Sequence, residues 1–531
     1  MSNQTPTIAK SVLTDRNSTY QAQDVIEIFI APEDVPLLNP HETYLKAIVQ
    51  VASSNNTLCQ PDERAGVHSL IQEVQIYDGQ NQQLLEQLEN YNNWTAQKFH
   101  YDKSPGLRNL RTLMEGQSRV EGNFLTSLYW EGNALVNPTY LPVEVCFPLH
   151  MSGILSGSKV FPIILTNGLR IRITLADNVQ GLLAFTNQGY ITNEKPALTV
   201  PVAGTANPTQ MNIDVNGSTT GVFFESNVAI AAGGLTTLTL KSAGATGINL
   251  NATNDNVPFR VGQSVGYRDT AGNIVNCGVI TGITNPAGQV VLTFANVVIA
   301  AGNVAAIGAL VFGFAEDLTA TYEVKNVDMI CSVVQAGQSV IDGMVKKVNS
   351  GSVNIDYSSF NIYRDNVNAR VNRPNINFQT TEHRAMSICS FPMGTVNSIN
   401  LSNFKPVRDG MTSYQYNIAN RLTPNRRVDV ARVAQLGNSL EWNAIHQHEL
   451  EKALGRWKVA PRYLAHNSDA FGIGRELAKV GHSFNANDQE VRLDMEYSTA
   501  AADNTQEKLL NSWVYHIRTL VISKASISVV Y

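Results

Sequence analysis

Three constellations in this 531-residue chain contain side chains of the kinds that do chemistry. Gly262-Gln-Ser264-Val-Gly266 has the GxSxG spacing of a nucleophile elbow, which stands a serine hydroxyl on a strained turn between a strand and a helix. The following residues, Tyr267-Arg-Asp-Thr-Ala-Gly-Asn273, predict a strand and then a turn, so the helix that Ser264 would need is missing. His446-Gln-His448-Glu449 offers metal-ligand types, but a helix brings two histidines onto one face at a spacing of four. At a spacing of two they diverge, which predicts exposed helix histidines with no third ligand. Glu316-Asp317 and Asp488-Gln-Glu490 pair carboxylates at predicted turns, where solvent accounts for them without acid–base work. No phosphate loop or dinucleotide fingerprint occurs. The expectation is no catalytic residue, no metal ligand and no cofactor.

Arg421, Arg426, Arg427 and Arg432 form the densest basic segment. A nucleic-acid surface is one reading; salt bridging to a neighbouring subunit is favoured, because no aromatics are interleaved for bases to stack on. The net charge is −5 and the pI about 6.1, so no global field draws phosphates. The amino-terminal stretch holds only Lys10 and Arg16 as cations, and no sequence-specific nucleic-acid binding is expected.

The elements that position these groups are predominantly strands. Charged residues make up 16% of the chain against about 25% in ordinary soluble domains, which leaves surfaces suited to burial against other subunits. Alternation at period two marks half-buried strands: Leu45, Ala47, Val49 and Val51; Leu169, Ile171, Ile173 and Leu175 opposite Arg170, Arg172 and Thr174; Val491, Leu493, Met495 and Tyr497. Thr270–Ala315 carries no charge, yet Asn296, Gly302, Asn303, Gly308 and Gly313 break it, so buried strands are predicted and no membrane span. A helical stripe is predicted over 84–99, and a second helix over 439–454, with Asn438 as N-cap, Glu441 as its capping-box partner and Gly455 as the stop. Both are expected to decorate sandwich loops.

Cys59, Cys146, Cys277, Cys331 and Cys389 are scattered and odd in number, the pattern of buried thiols assembled in a reducing compartment. MSNQTPTIAK has no apolar segment of a signal peptide, so Asn93-Trp-Thr95 is expected to be a chance glycosylation match. Residues 177–317 are rich in Gly, Ala, Thr, Asn and Val with few cations, and predict a separate β-rich insertion in one loop. A polar seam at 364–374 suggests a second boundary. The flanks echo each other: an alternating Arg-bearing strand (169–175, 491–497) precedes a paired-strand segment (320–334, 516–531), as duplication of one unit would produce.

Three stretches resemble the double jelly-roll major capsid proteins, with polinton-like viruses and virophages as the nearest group. Val67-His-Ser-Leu-Ile-Gln-Glu-Val-Gln-Ile-Tyr-Asp-Gly79, running into Leu85-Glu-Gln-Leu-Glu-Asn-Tyr-Asn92, looks like a strand, turn and helix of the first jelly roll. Val143-Glu-Val-Cys-Phe-Pro-Leu149 and Lys159–Leu175 resemble its next strands, and Asn487–Tyr531 the closing strands of the second. The resemblance covers 20–176 and 318–531. Some virophage capsid proteins carry a removable carboxy-terminal extension; this chain ends in a strand-like segment, Ser526–Tyr531, so maturation at that end is not expected.

The resemblance implies an all-β double jelly roll with a β-rich insertion in a loop of the first sandwich and a few short helices. The expected division is an arm (1–19), the first jelly roll (20–176 and 318–370), the insertion (177–317) and the second jelly roll (371–531). It further implies a non-enzymatic major capsid protein of the virion: a homotrimeric, pseudo-hexagonal capsomer that tiles an icosahedral shell around a DNA genome. Its partners would be neighbouring capsomers, penton and minor capsid proteins, and a host receptor met through the insertion. The alternative is a non-catalytic carbohydrate-binding or surface adhesion sandwich. It would call for a signal peptide and exposed aromatics or acidic calcium ligands, none of which the sequence presents.

Overall fold

The computed structural model describes residues 7–14, 19–54, 58–62, 64–101, 111, 114–116, 128–131, 139–185, 223–226, 228–240, 264–271, 274–284, 291–306, 310–313, 318–395, 399, 402–404, 406–408, 410–430, 444–457, 471–478, 482–499, 504, 507–524 and 526–530. In chain order the strands begin β1 (Thr7–Leu13), β2 (Thr19–Gln21), β3 (Val25–Ile30), β4 (Leu38–Ala52), β5 (Leu58–Pro61), β6 (Ile71–Asp78) and β7 (Leu84–Glu89). They continue with β8 (Trp130–Glu131), β9 (Thr139–Tyr140), β10 (Val143–Phe147), β11 (Leu169–Leu175) and β12 (Leu182–Phe185). Next come β13 (Phe223–Glu225), β14 (Gly233–Thr239), β15 (Ser264–Arg268), β16 (Ile274–Thr284), β17 (Val291–Ile299), β18 (Leu310–Gly313) and β19 (Thr321–Val334). The last nine are β20 (Ser352–Val367), β21 (Asn375–Thr380), β22 (Ala385–Gly394), β23 (Met411–Ile418), β24 (Arg421–Asp429), β25 (Ile473–Glu476), β26 (Gln489–Tyr497), β27 (Lys508–Ser523) and β28 (Ile527–Val530).

Two pairs of antiparallel sheets account for most of these strands. The first pair has strand orders β1-β19-β4-β10 and β3-β11-β6-β7; the second has β20-β27-β22-β25 and β21-β26-β23-β24. Numbered along the chain, the eight principal strands of each pair occupy the same eight places, so one sandwich topology occurs twice. The echo in the sequence is this duplication: β11 and β26 are equivalent strands, as are β19 and β27. Alternation works as the residues dictate. Leu169, Ile171, Ile173 and Leu175 are buried while Arg170, Arg172 and Thr174 lie half-exposed, and each such apolar side chain stabilises by about 1.5–3 kcal/mol when fully buried.

Several boundaries differ from expectation. Residues 84–89 are a strand, and the helix α1 runs Tyr91–Tyr101; Leu84 and Leu88 share a strand face as readily as a helical stripe. Within α1 every residue but Lys98 is buried, so it is no surface decoration. The later helix, Ala444–Arg456, continues through the predicted stop Gly455; Asn438 and Glu441 lie outside the described residues. A helix at Gln338–Ser350, unforeseen, joins the two sandwiches. The arm contributes an edge strand, Thr7–Leu13, paired with β19. Ser352–Val367 pairs along its whole length with Lys508–Ser523, which places it in the second sandwich and not in the first as a boundary at 370 required. Its polar composition reflects an edge position with exposed ends, not a linker.

Between β11 and β19 stands a six-stranded sheet, β13-β18-β15-β16-β17-β14, with its own apolar core of Leu238, Val265, Tyr267, Ile280, Leu292 and Phe294 among others. The start of the segment expected as insertion, Leu182–Phe185, pairs instead with Leu58–Pro61. Among the described residues no helix is long and apolar enough to cross a membrane.

Candidate functional site

The most elaborate side-chain arrangement lies where the two sandwiches meet. The helix α1 follows β7 in the first sandwich, as Ala444–Arg456 follows β24 in the second, so both helices occupy the same connection of the duplicated topology. Trp94 of α1 projects into the other sandwich. Its ring centroid is 4.1 Å from that of Trp457, 5.1 Å from Trp513 and 5.7 Å from Phe391. Trp457 in turn packs on Tyr515 and Phe360. One apolar core thereby runs through both units.

Polar contacts close the seam on either side of these rings. Tyr357 Oη donates to Leu85 O. Gln97 Nε2 and Arg64 Nη1 donate to Phe404 O at 2.6 and 3.3 Å, Asn403 Nδ2 donates to Val179 O at 2.8 Å, and Ala184 N donates to Ile399 O at 2.7 Å. Glu86, fully buried, accepts from Ser152 Oγ at 2.6 Å and Gly153 N at 2.9 Å. Burial raises its pKa, opposed by the hydrogen bonds from Ser152 and Gly153 and the charge of Arg518. That turn presents Gly153 to the second sandwich so closely that a Cβ there would lie 1.8 Å from Ser358 O. Beside it is a cavity of about 240 Å³, lined by His41, Lys98, His150, Ser152, Ser358 and Trp457 among others.

At the first-sandwich side of this cavity three distant residues converge. His68 comes from the short helix Gly66–Leu70, Glu115 from the segment after Arg111, and His150 from the turn beyond β10. His150 Nε2 and Glu115 Oε1 are 2.8 Å apart, His68 Nε2 and Glu115 Oε2 3.5 Å, and Arg111 Nε and Glu115 Oε2 3.7 Å. Tyr91 Oη lies 3.0 Å from His68 Nδ1, and the Arg111 guanidinium covers the Phe99 ring at 3.7 Å. Burial pushes the Glu115 carboxyl upward, but the two imidazoles outweigh it and hold the group well below the usual carboxylate range. Burial lowers His150 to about 4 against the pull of Glu115.

The residues singled out by spacing lie elsewhere. Ser264 begins strand β15, which is followed by a turn and not by the helix an elbow needs. His446 and His448 diverge as the spacing requires, but only His448 is exposed. His446 is buried, which corrects the expectation for it: its ring stacks on Phe471 at 5.8 Å and meets Tyr414 edge-on at 5.7 Å, and burial, with the nearby Arg408 charge, lowers its pKa to about 3. Asp488 sits in a turn ahead of β26; Glu316 and Asp317 lie outside the described residues. Arg427 is not left for a neighbour, since it pairs with Glu496 at 2.9 Å, a carboxylate that Arg373 also contacts. Arg421 and Arg426 are exposed, and Arg432 lies outside the described residues. Asn93, Trp94 and Thr95 are buried in α1, where no glycan fits. The five cysteines are unbridged, with all but Cys146 buried.

Sequence reasoning missed His68, Glu115 and His150. No motif links residues 47 and 35 positions apart; a signal was available only in a His and a Glu within otherwise apolar surroundings. Among the described residues nothing combines a nucleophile, a base and an oxyanion cradle.

No family model matches the chain, and no curated protein matches it by sequence. Solved structures do match. The Faustovirus major capsid protein is similar over 98% of this chain and 90% of its own, with 8% identity and a TM-score of 0.50. PBCV-1 VP54, as fitted into a reconstruction of the virophage Sputnik, aligns over 100% and 98% at 8% identity and a TM-score of 0.46. The cryo-EM structure of the Sputnik virophage aligns over 98% and 88% at 9% identity and 0.43. At such identities the Faustovirus likeness speaks to fold, and together with the twice-repeated strand order it gives the conclusion: this chain is a double jelly roll of the kind found in viral major capsid proteins.

Proposed function

We propose that the chain is the major capsid protein of a virus, assembling as a homotrimer whose six sandwiches form a pseudo-hexagonal block. The observation that carries this is the occurrence of one eight-stranded topology twice in a single chain, bound across a buried aromatic seam. Two similar, rigidly joined units repeated by a three-fold axis give near-six-fold geometry, and such blocks tile an icosahedral face with a different protein at its vertices. Closed symmetry also covers edge strands that would otherwise aggregate. The edge strand Thr7–Leu13 exposes Ile8 and Leu13 and is suited to such cover.

In this reading the protein resides in the virion, contacts neighbouring capsomers with penton and minor capsid proteins, and encloses DNA without reading its sequence. Its buried thiols suit assembly in a reducing compartment, and it performs no catalysis. The six-stranded sheet between β11 and β19 rises as a tower on the particle exterior, the place for host attachment. Obligate interfaces of this type bury on the order of 2,000 Å² or more. Light scattering on the purified protein should therefore give about three times the 58.0 kDa chain mass. A monodisperse monomer at micromolar concentration would contradict the proposal.

A further inference from the structure

The geometry points to a transition-metal site of the zinc class, built from His68, Glu115 and His150 at the inner end of the seam cavity. The three ligand atoms lie within 4.8 Å of one another. Ligands on a tetrahedral zinc ion, with bonds of about 2.0–2.1 Å, stand about 3.3 Å apart. His150 Nε2 lies 2.8 Å from Glu115 Oε1 and His68 Nε2 lies 3.5 Å from Glu115 Oε2, so the carboxylate stands between the two nitrogens with one oxygen toward each.

A second observation favours a bound cation. His68 Nδ1 is engaged by Tyr91 Oη, which leaves Nε2 as the remaining ring nitrogen. That atom is fully buried and has no hydrogen-bond partner, and neither has Glu115 Oε2, the carboxylate oxygen facing it. With the ring proton on Nδ1, Nε2 turns a lone pair toward an anionic oxygen where both atoms are buried, a costly arrangement. A bound cation satisfies both atoms at once. The contact with Tyr91 then orients the imidazole, as outer-shell partners of ligating histidines do.

Access and selectivity follow from the surroundings. His150 is the partly exposed member, at 22% of its side chain, and it lines the cavity, so the ion enters there and a water from the cavity completes its shell. Uptake displaces the proton on His150 Nε2 and releases it to solvent. Arg111, 3.7 Å from Glu115, already offsets part of the carboxylate charge. Affinity must then come chiefly from imidazole nitrogen, which favours Zn²⁺ or Co²⁺ and disfavours Ca²⁺ and Mg²⁺. The ion would pin Gly66–Leu70, the Glu115 segment and the turn after β10 together beneath the seam.

The test is equilibrium dialysis of the full-length protein against Zn²⁺ with metal analysis, beside the visible spectrum of the Co²⁺ form. One equivalent of Zn²⁺ per chain is expected, with little uptake of Ca²⁺ or Mg²⁺ and the intense ligand-field bands of tetrahedral Co²⁺. His68→Ala and His150→Ala should lose the equivalent. Glu115→Gln, which keeps shape and hydrogen bonding, should weaken binding by about ten-fold or more. Absence of stoichiometric uptake by the wild-type protein, a weak octahedral Co²⁺ spectrum, or uptake unchanged in Glu115→Gln would each overturn the inference. The wild-type measurements decide it even if an alanine variant fails to fold, and none depends on the oligomeric state.

Discussion

The two sandwiches share a strand order yet use the connection after their fifth-placed strands, β7 and β24, differently. In the first, α1 drives Trp94 out of its own unit and into the second. In the second, Ala444–Arg456 turns His446 inward among Tyr414 and Phe471, within a core that this unit keeps to itself. Likewise the connection from β11 to β19 holds an independent six-stranded sheet, whereas β26 reaches β27 within a short stretch. A duplicated scaffold fixes where strands lie, and the loops then acquire separate tasks because they tolerate change. Here one unit supplies the wedge and the outgrowth, and the other supplies the socket.

If Trp94 is the wedge, Trp94→Ala should be the most damaging single change, costing about 3–5 kcal/mol by the usual scale for buried aromatics. Urea unfolding should show a lowered midpoint and, if the units uncouple, two transitions instead of one. The same seam is probed from the first sandwich by Gly153→Ala, whose Cβ would collide with Ser358 O of the second at 1.8 Å. We expect a loss of about 1–3 kcal/mol, the range of overpacking, because the opposing atom is backbone and cannot step aside.

Acid should distinguish the two helices. The folded-state pKa of His446, about 3, lies below its unfolded value of about 6.5. The folded chain thus binds fewer protons, and the stability associated with a neutral His446 is complete above about pH 6.5. It declines as pH falls, at up to about 1.4 kcal/mol per pH unit, and levels off near the folded value. His516 and His150 are shifted in the same direction, to about 3 and about 4. Thermal melts at pH 7.5 and 5.5 should therefore show His446→Gln losing about 1 kcal/mol less than wild type on acidification. Equal losses would show that His446 is not held neutral. The smallest effect belongs to Arg427→Ala, which removes a partly exposed pair with Glu496; about 0–1 kcal/mol is expected from chemical denaturation at low salt, and less at high salt.

Alternation made much of the sandwich framework legible before any coordinates. Leu169–Leu175 and Val491–Tyr497 announce a buried face because side-chain direction in a strand follows sequence parity alone. Where the reading failed, the local signal was ambiguous or absent. Leu84 and Leu88 satisfy strand and helix equally, and the burial of Glu86 depends on Ser152 and Gly153, which only the fold supplies. Gln338–Ser350 is an exception: Val340, Ile341, Met344 and Val348 recur at helical spacing, and Met344 and Val348 pack against the core, so its stripe was legible in the sequence. The polar run beginning at Arg364 suggested a domain boundary because an edge strand, like a boundary segment, faces solvent. His68, Glu115 and His150 illustrate the limit most clearly: their meeting is a property of three separate connections brought together by the fold, and no spacing encodes it.

The central claim, that two fused sandwiches exist to build a three-fold block, is tested most directly by cryo-EM of the purified protein without symmetry imposed. The account predicts a particle containing three chains, with six sandwich-shaped densities in a near-hexagonal ring and three β-rich projections on one face. A single two-lobed chain, or an assembly whose sandwiches do not close around a three-fold axis, would contradict it.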